Sequence, residues 1–87
     1  MTIKQFHAAL KKKWPHLNFD PEGYDVWVGD LRLTCDDMVG ASTITSRHWG
    51  YGDNINDAIE DLKREIREEI RENQEALKQI EEACKKN

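Results

Sequence analysis

Apolar side chains recur every three or four residues through the last third of the chain, from Asp53 to Lys86. That spacing places them on one side of an α-helix. Neither Gly nor Pro interrupts the segment, and most of its other residues are good helix formers. The pattern predicts one long helix over residues 54–86. Its apolar side consists of Ile55, Ile59, Leu62, Ile66, Ile70, Leu77, Ile80 and Cys84, with Asn73 at one polar position.

A helix of this length extends about 48 Å, farther than the roughly fifty residues before it can cover. We therefore expect its first half to pack on the rest of the domain and its second half to pack on a second copy of the chain. The predicted homodimer interface consists of Ile70, Asn73, Leu77, Ile80 and Cys84. In the alternative, the first helix folds back over this half through Phe6, Leu10 and Trp14, which leaves a monomer.

Shorter patterns predict the elements in the first half of the chain. A capping box of Thr2 and Gln5 begins a helix over residues 2–14, and Pro15 disfavours helical backbone beyond it. Alternating residues over 24–35 predict a β-hairpin that turns at Gly29-Asp30. Folding at this turn gives three pairs on the core-facing side: Val28 with Leu31, Val26 with Leu33, and Tyr24 with Cys35.

The outer face of the hairpin carries Trp27 directly across from Arg32. The stretch that follows the hairpin predicts a third strand over residues 41–49, in which Ile44 is the one large aliphatic residue. If Ile44 faces the core, alternation along this strand places Arg47 and Trp49 on the outer face.

Together these elements predict a single α+β domain over residues 1–87, of order αβββα. The antiparallel sheet has three strands, or four if residues 17–19 add a short one. Both helices cover the same face of the sheet, and the C-terminal helix is long.

Charge is distributed unevenly along the chain. The net charge is −4, from 13 Lys and Arg against 17 Asp and Glu, and residues 52–87 hold eleven acidic and seven basic residues, which accounts for the whole excess. An acidic balance does not favour binding to a nucleic-acid backbone, which requires clustered Lys and Arg.

No apolar run approaches the ~18 residues of a membrane span, and no signal-peptide core is present near residue 1. We therefore expect a cytoplasmic protein in which Cys35 and Cys84 are reduced. Two cysteines without a Cys/His cluster predict neither a metal site nor a cofactor. The one nucleophile–base pair that the sequence offers is Cys35 with His48, and because no third residue orients it, we expect no enzyme activity.

Two surfaces are candidates for binding. Trp27, Arg32, Arg47 and Trp49 gather on a sheet face that the helices do not need, where they are suited to anchor a partner protein or to stack on bases. A line of carboxylates on the long helix has a spacing similar to that of nucleic-acid phosphates. Its members are Asp57, Asp61, Glu65, Glu68 and Glu72. Interleaved Lys and Arg also favour the simpler interpretation of this line as a solvated helix face.

Two short resemblances accompany these patterns. The order αβββα resembles that of a double-stranded-RNA-binding domain, whose second helix begins with lysines. Here residues 53–58 read Asp-Asn-Ile-Asn-Asp-Ala, so the RNA-binding function does not carry over. Residues 52–59 are also similar to the corresponding turn of HicB-type antitoxins, over a stretch that mostly forms a helix cap. Neither resemblance assigns the chain to a family.

The sequence therefore predicts a small acidic, non-enzymatic protein-binding module. Its size and charge suit a regulator or inhibitor of the kind that phages and other mobile elements carry as accessory proteins, and its acidic helix suits mimicry of nucleic-acid charge. In the alternative, it is a ligand- or nucleic-acid-binding module that uses the Trp27, Arg32, Arg47 and Trp49 face. A third class is a small enzyme centred on Cys35 and His48.

Overall fold

The computed structural model describes residues 1–67 and 73–85, with Asn73 described by its backbone alone. In these ranges the elements are α1 (Ile3–Lys13), β1 (Asp25–Val28), β2 (Leu31–Cys35), β3 (Val39–Thr43), β4 (Gly50–Gly52), α2 (Ile55–Arg67) and α3 (Asn73–Lys85). The strands form one antiparallel sheet in the order β1-β2-β3-β4. The predicted α+β class and antiparallel sheet are confirmed.

Helix α1 has the predicted boundaries. The hydroxyl of Thr2 accepts a hydrogen bond from the Gln5 N–H at 3.1 Å, and the Gln5 side chain accepts one from the Thr2 N–H at 2.9 Å, which completes the capping box. The helix ends at its C-cap residue, Trp14, next to Pro15. Phe6, Leu10 and Trp14 are all buried.

The hairpin of β1 and β2 has the predicted register, with Val28 opposite Leu31 and Val26 opposite Leu33. Gly29 has a φ of 60°, as the first position of a type II′ turn requires. The predicted pairing of Tyr24 with Cys35 is confirmed, because the Cys35 N–H donates to the Tyr24 carbonyl at 3.0 Å. The predicted burial of Tyr24 was wrong, since its side chain is 67% exposed whereas Cys35 is buried.

The predicted third strand over residues 41–49 was wrong in its boundaries and in its facing. Strand β3 covers Val39–Thr43, and Ile44, predicted to face the core, is 65% exposed. The chain leaves the sheet there because hydroxyl groups take over the backbone hydrogen bonds. The Thr43 hydroxyl accepts from the Ser46 N–H at 3.0 Å, and the Ser42 hydroxyl donates to the His48 carbonyl at 2.9 Å. The fourth strand is Gly50–Gly52 and not residues 17–19.

The described parts of residues 54–86 form two helices that do not share one straight axis, so the prediction of a single long helix was wrong. Helices α2 and α3 pack against each other. Two successive segments of one straight helix could not do so, because residues six or more positions apart along it are separated by at least about 9 Å. The longest dimension of the molecule is 36 Å, shorter than the predicted helix. The segment is helical as expected, but its second helix returns to the domain.

One core lies between the sheet and the three helices. The inward side chains of β1 and β2, such as Val26 and Leu33, meet Phe6 of α1, Leu62 of α2 and Ile80 of α3. No helix among the described residues is long and apolar enough to cross a membrane.

Three residues of the predicted dimer interface, Leu77, Ile80 and Cys84, lie on α3 and pack against the core of the same chain. Ile80 is fully buried, and Leu77 and Cys84 pack against the same core. The indole N–H of Trp14 donates to the Ala83 carbonyl at 2.7 Å, and Gln79 donates to the Thr45 hydroxyl at 2.7 Å. Of the predicted dimer interface, Ile70 and the side chain of Asn73 lie outside the described residues. Trp14 thus contacts this half of the segment, as the alternative expected, but α3 packs mainly against α2, β2 and β3.

Candidate functional site

Four side chains form a continuous row across the outer face of the sheet, which we call the outer row. It consists of Trp27, Arg32, Trp49 and Tyr51. The pairing of Trp27 with Arg32, and of Arg32 with Ser42, aligns the row perpendicular to the strands. The outer row therefore runs across β1, β2 and β3 on the side opposite the core and ends at Tyr51 of β4, which pairs with Gly40 and not with Ser42.

The guanidinium of Arg32 lies between two indole rings. Its central carbon is 5.9 Å from the centre of the Trp27 ring and 5.3 Å from the centre of the Trp49 ring. Both distances allow cation–π attraction, worth about 0.5–1 kcal/mol each at an exposed site. Two hydrogen bonds to the Asp25 carboxylate, of 3.1 and 3.0 Å, hold the guanidinium in place and raise the pKa of Arg32.

The rings of Trp49 and Tyr51 stack with their centres 6.4 Å apart and their planes 21° from parallel. Gly40 lies beneath both rings. A Cβ atom added at Gly40 would lie 3.4 Å from both rings and 2.8 Å from the Thr34 hydroxyl oxygen. Because Gly40 has no side chain, the two rings lie low over β3.

The outer row is accessible although its members contact each other. Trp27 is 47% exposed and Tyr51 is 50% exposed, and the Arg32 side chain is 37% exposed. Ser42, beneath the row, is buried. The result is a flat, ordered surface of three aromatic rings and one guanidinium, which are the side chains most often found at the centre of protein interfaces.

The structure brings together three of the four residues predicted for this face. Arg32 contacts both Trp27 and Trp49, whereas Arg47 lies exposed in the loop before β4. The sequence analysis missed Tyr51, which it placed in a turn. Tyr51 has the same alternation as Trp49, two residues before it, and this was the signal available in the sequence.

The carboxylate line on α2 is largely engaged within the protein. Asp57 accepts a hydrogen bond from the Asn54 side chain at 3.1 Å, beside the cap of α2. Asp61 accepts from the Tyr51 N–H at 2.9 Å and from Arg64 at 2.6 Å. The bond from the Tyr51 backbone is the largest cause that lowers the pKa of Asp61, and Arg64 adds to it. Glu65 is half-buried, and Glu68 and Glu72 lie outside the described residues.

Cys35 and His48 are not brought together. Cys35 pairs with Val39 at one end of β3, and the His48 carbonyl is bonded to Ser42, three residues and about 10 Å farther along that strand. Burial raises the pKa of the Cys35 thiol, which disfavours the nucleophilic thiolate. Within residues 1–67 and 73–85, no group of three His, Cys, Asp or Glu side chains is arranged to hold a metal ion.

Comparison with known proteins finds no family model, no curated protein and no solved structure that matches this chain.

Proposed function

We propose that this protein is a non-enzymatic module that binds another protein through the outer row. The observation that carries the proposal is the arrangement of Trp27, Arg32, Trp49 and Tyr51 as one ordered row on the sheet face opposite the core. Folding does not require large aromatic side chains at half-exposed positions. Such side chains favour binding to a partner, because rigid aromatic side chains lose little conformational entropy when a partner covers them.

Charge favours a protein partner over a nucleic acid. The one guanidinium within the row, that of Arg32, is already bonded to Asp25, and Asp61 lies beside Tyr51 at the edge of β4. A nucleic-acid strand would need free positive charge along its phosphates. A protein surface needs only shape and apolar area at the centre of the contact.

Nucleic-acid binding is the second candidate, because aromatic rings on a sheet face can stack on bases. A role as regulator or inhibitor remains a prediction from the size and charge of the chain. Charge mimicry by α2 is supported less, since Asp57 and Asp61 are engaged in internal hydrogen bonds.

A capture experiment tests this proposal. Tagged protein is incubated with cell extract, with and without nuclease, and captured proteins are identified by mass spectrometry. We expect at least one protein to be retained after nuclease treatment and lost with Trp49→Ala. The matched control is Ile44→Ala, which removes an exposed apolar side chain outside the row. Loss of every partner on nuclease treatment would instead support nucleic-acid binding.

A further inference from the structure

The two edge strands of the sheet, β1 and β4, differ in what surrounds their outward backbone groups. In an antiparallel pair, every second residue bonds to the neighbouring strand and the residues between them point away. The Cys35 N–H donates to the Tyr24 carbonyl at 3.0 Å, which identifies Tyr24 and every second residue after it as those that bond to β2. The N–H and C=O groups of Asp25 and Trp27 therefore point out from the sheet.

The β4 edge is covered by α2. Its outward N–H group, that of Tyr51, donates to the Asp61 carboxylate at 2.9 Å. At the β1 edge, the outward backbone groups of Asp25 and Trp27 form no hydrogen bond with any residue in the described ranges. Both residues are exposed. Within the described ranges, one edge of the sheet is thus capped and the other is open.

We propose that the open edge of β1 binds an extended, positively charged segment of the partner protein, which joins the sheet as a fifth strand. The proposal rests on the proposed function and adds the backbone contact next to the outer row. In this mode of recognition, main-chain hydrogen bonds supply affinity and side chains alternate between the two faces. Trp27 on the outer face and Tyr24 on the other are 47% and 67% exposed, so each is available to one set of the partner's side chains.

The charge around this edge selects the chemistry of the segment. Between Trp14 and Leu31 the chain holds four acidic residues and no Lys or Arg. The four are Asp20, Glu22, Asp25 and Asp30, and all are exposed. Arg32 offsets only the charge of Asp25. A segment rich in Lys or Arg is therefore attracted to this edge, and an acidic segment is repelled.

The same charge argues against a second copy of this chain as the occupant. Pairing β1 with β1 of another copy would bring two sets of four carboxylates together. Like charges on facing strands are destabilising, and short, charged edge strands resist pairing with themselves. Strand β1 has only four residues. A partner of opposite charge removes this penalty.

Synthetic peptides test the proposal without knowledge of the natural partner. The probe is a fluorescein-labelled eight-residue peptide of alternating Lys and Val, and the matched control is the same peptide N-methylated at every residue, which keeps the charge and removes the hydrogen-bond donors on both edges. We expect the first peptide to bind at least tenfold more tightly than the control. It should also slow hydrogen exchange of the Trp27 amide, measured by NMR, by at least tenfold.

A pair of variants tests the same edge from the protein side. Asp25→Pro removes an outward N–H group, whereas Asp25→Asn keeps it, and both lose the ion pair with Arg32. Peptide binding should be about tenfold weaker with Asp25→Pro than with Asp25→Asn. If Asp25→Pro does not fold, the comparison of the two peptides stands without it.

Three results would overturn the proposal. The first is equal affinity of the protein for the two peptides, and the second is equal affinity of the two folded variants for the Lys-Val peptide. The third is slow exchange of the Trp27 amide in free protein that sediments as a dimer, because this would place a second copy of the chain at the edge. Binding through the outer row would still stand after any of these results, provided that the Trp49→Ala variant fails to retain the captured protein. Conversely, protection of the Trp27 amide by peptide, with capture unaffected by Trp49→Ala, would retain the edge site and refute the outer row.

Discussion

The indole N–H of Trp14 donates a hydrogen bond of 2.7 Å to the carbonyl oxygen of Ala83 and so joins the end of α1 to α3 inside the core. Ala83 is among the last four residues of α3, whose carbonyl groups have no partner within the helix. Trp14 therefore caps α3 from a position nearly seventy residues away in the chain.

Replacing Trp14 with Phe should lower the free energy of unfolding by about 2 kcal/mol, because the Ala83 carbonyl then remains buried without a donor. Urea denaturation followed by circular dichroism measures this. The control is Trp27→Phe, at a half-exposed position, which should change stability by less than about 0.5 kcal/mol. Equal effects of the two variants would mean that the Trp14–Ala83 bond does not hold α3 in place.

The homodimer remains a prediction of the sequence, and the structure provides an intramolecular partner for the same residues. Because Ile80 is fully buried within one chain, we expect sedimentation equilibrium at micromolar concentration to give a monomeric mass. Ile80→Asp should unfold the protein, since it places a charge in the core. A dimeric mass that Leu77→Asp converts into a folded monomer would restore the original interface.

The sequence predicted the parts of the fold that local rules determine. The capping box at Thr2, the turn at Gly29 and the pairing of Trp27 with Arg32 each follow from residues close together in the chain. The break in the C-terminal helix does not, because residues 54–86 have the same apolar spacing in one long helix as in two packed helices. Long-range contacts distinguish the two arrangements, such as those of Trp14 with Ala83 and of Gln79 with Thr45.

Only part of the outer row could be predicted, because only part of it depends on residues close together in the chain. Trp27 and Arg32 follow from the hairpin register, and Trp49 was correctly placed on the outer face although the strand assigned to it was wrong. The position of Tyr51 depends on where the chain re-enters the sheet after Ile44. Hydrogen bonds of serine and threonine hydroxyls determine that point, and alternation of polarity does not reveal them.

Asp61 should contribute to stability in a pH-dependent manner. Its pKa is lowered in the folded protein by the Tyr51 N–H and by Arg64. Its contribution is therefore complete above the unfolded-state pKa of ~3.9 and is lost as the pH falls through the lower folded-state value.

Asp61→Asn should lower the free energy of unfolding by about 1 kcal/mol at pH 7, with little difference from the wild type at pH values below both pKa values. Urea denaturation at several pH values measures this. Glu60→Gln, on the same helix and 69% exposed, is the control and should have little effect at any pH. A destabilisation by Asp61→Asn that does not change with pH would contradict the ionic character of the bond to Tyr51.

Gly40 should be required for the order of the outer row. Gly40→Val places methyl groups where the Trp49 and Tyr51 rings lie, so we expect a reduced near-ultraviolet circular dichroism signal with the far-ultraviolet spectrum unchanged. The Gly40→Val variant should also bind the captured partner more weakly. Gly23→Ala, at a partly buried turn outside the sheet, is the control. An unchanged near-ultraviolet spectrum would show that the rings are not packed over Gly40.

The outer row is tested most directly by calorimetric titration of the purified partner with Tyr51→Ala. The Tyr51 side chain is 50% exposed, and its backbone bond to Asp61 survives truncation, so the fold should be kept. We predict a dissociation constant at least about thirtyfold higher than that of the wild type, equivalent to about 2 kcal/mol, whereas Ile44→Ala binds as the wild type does. Wild-type affinity of a folded Tyr51→Ala variant would contradict binding through the outer row.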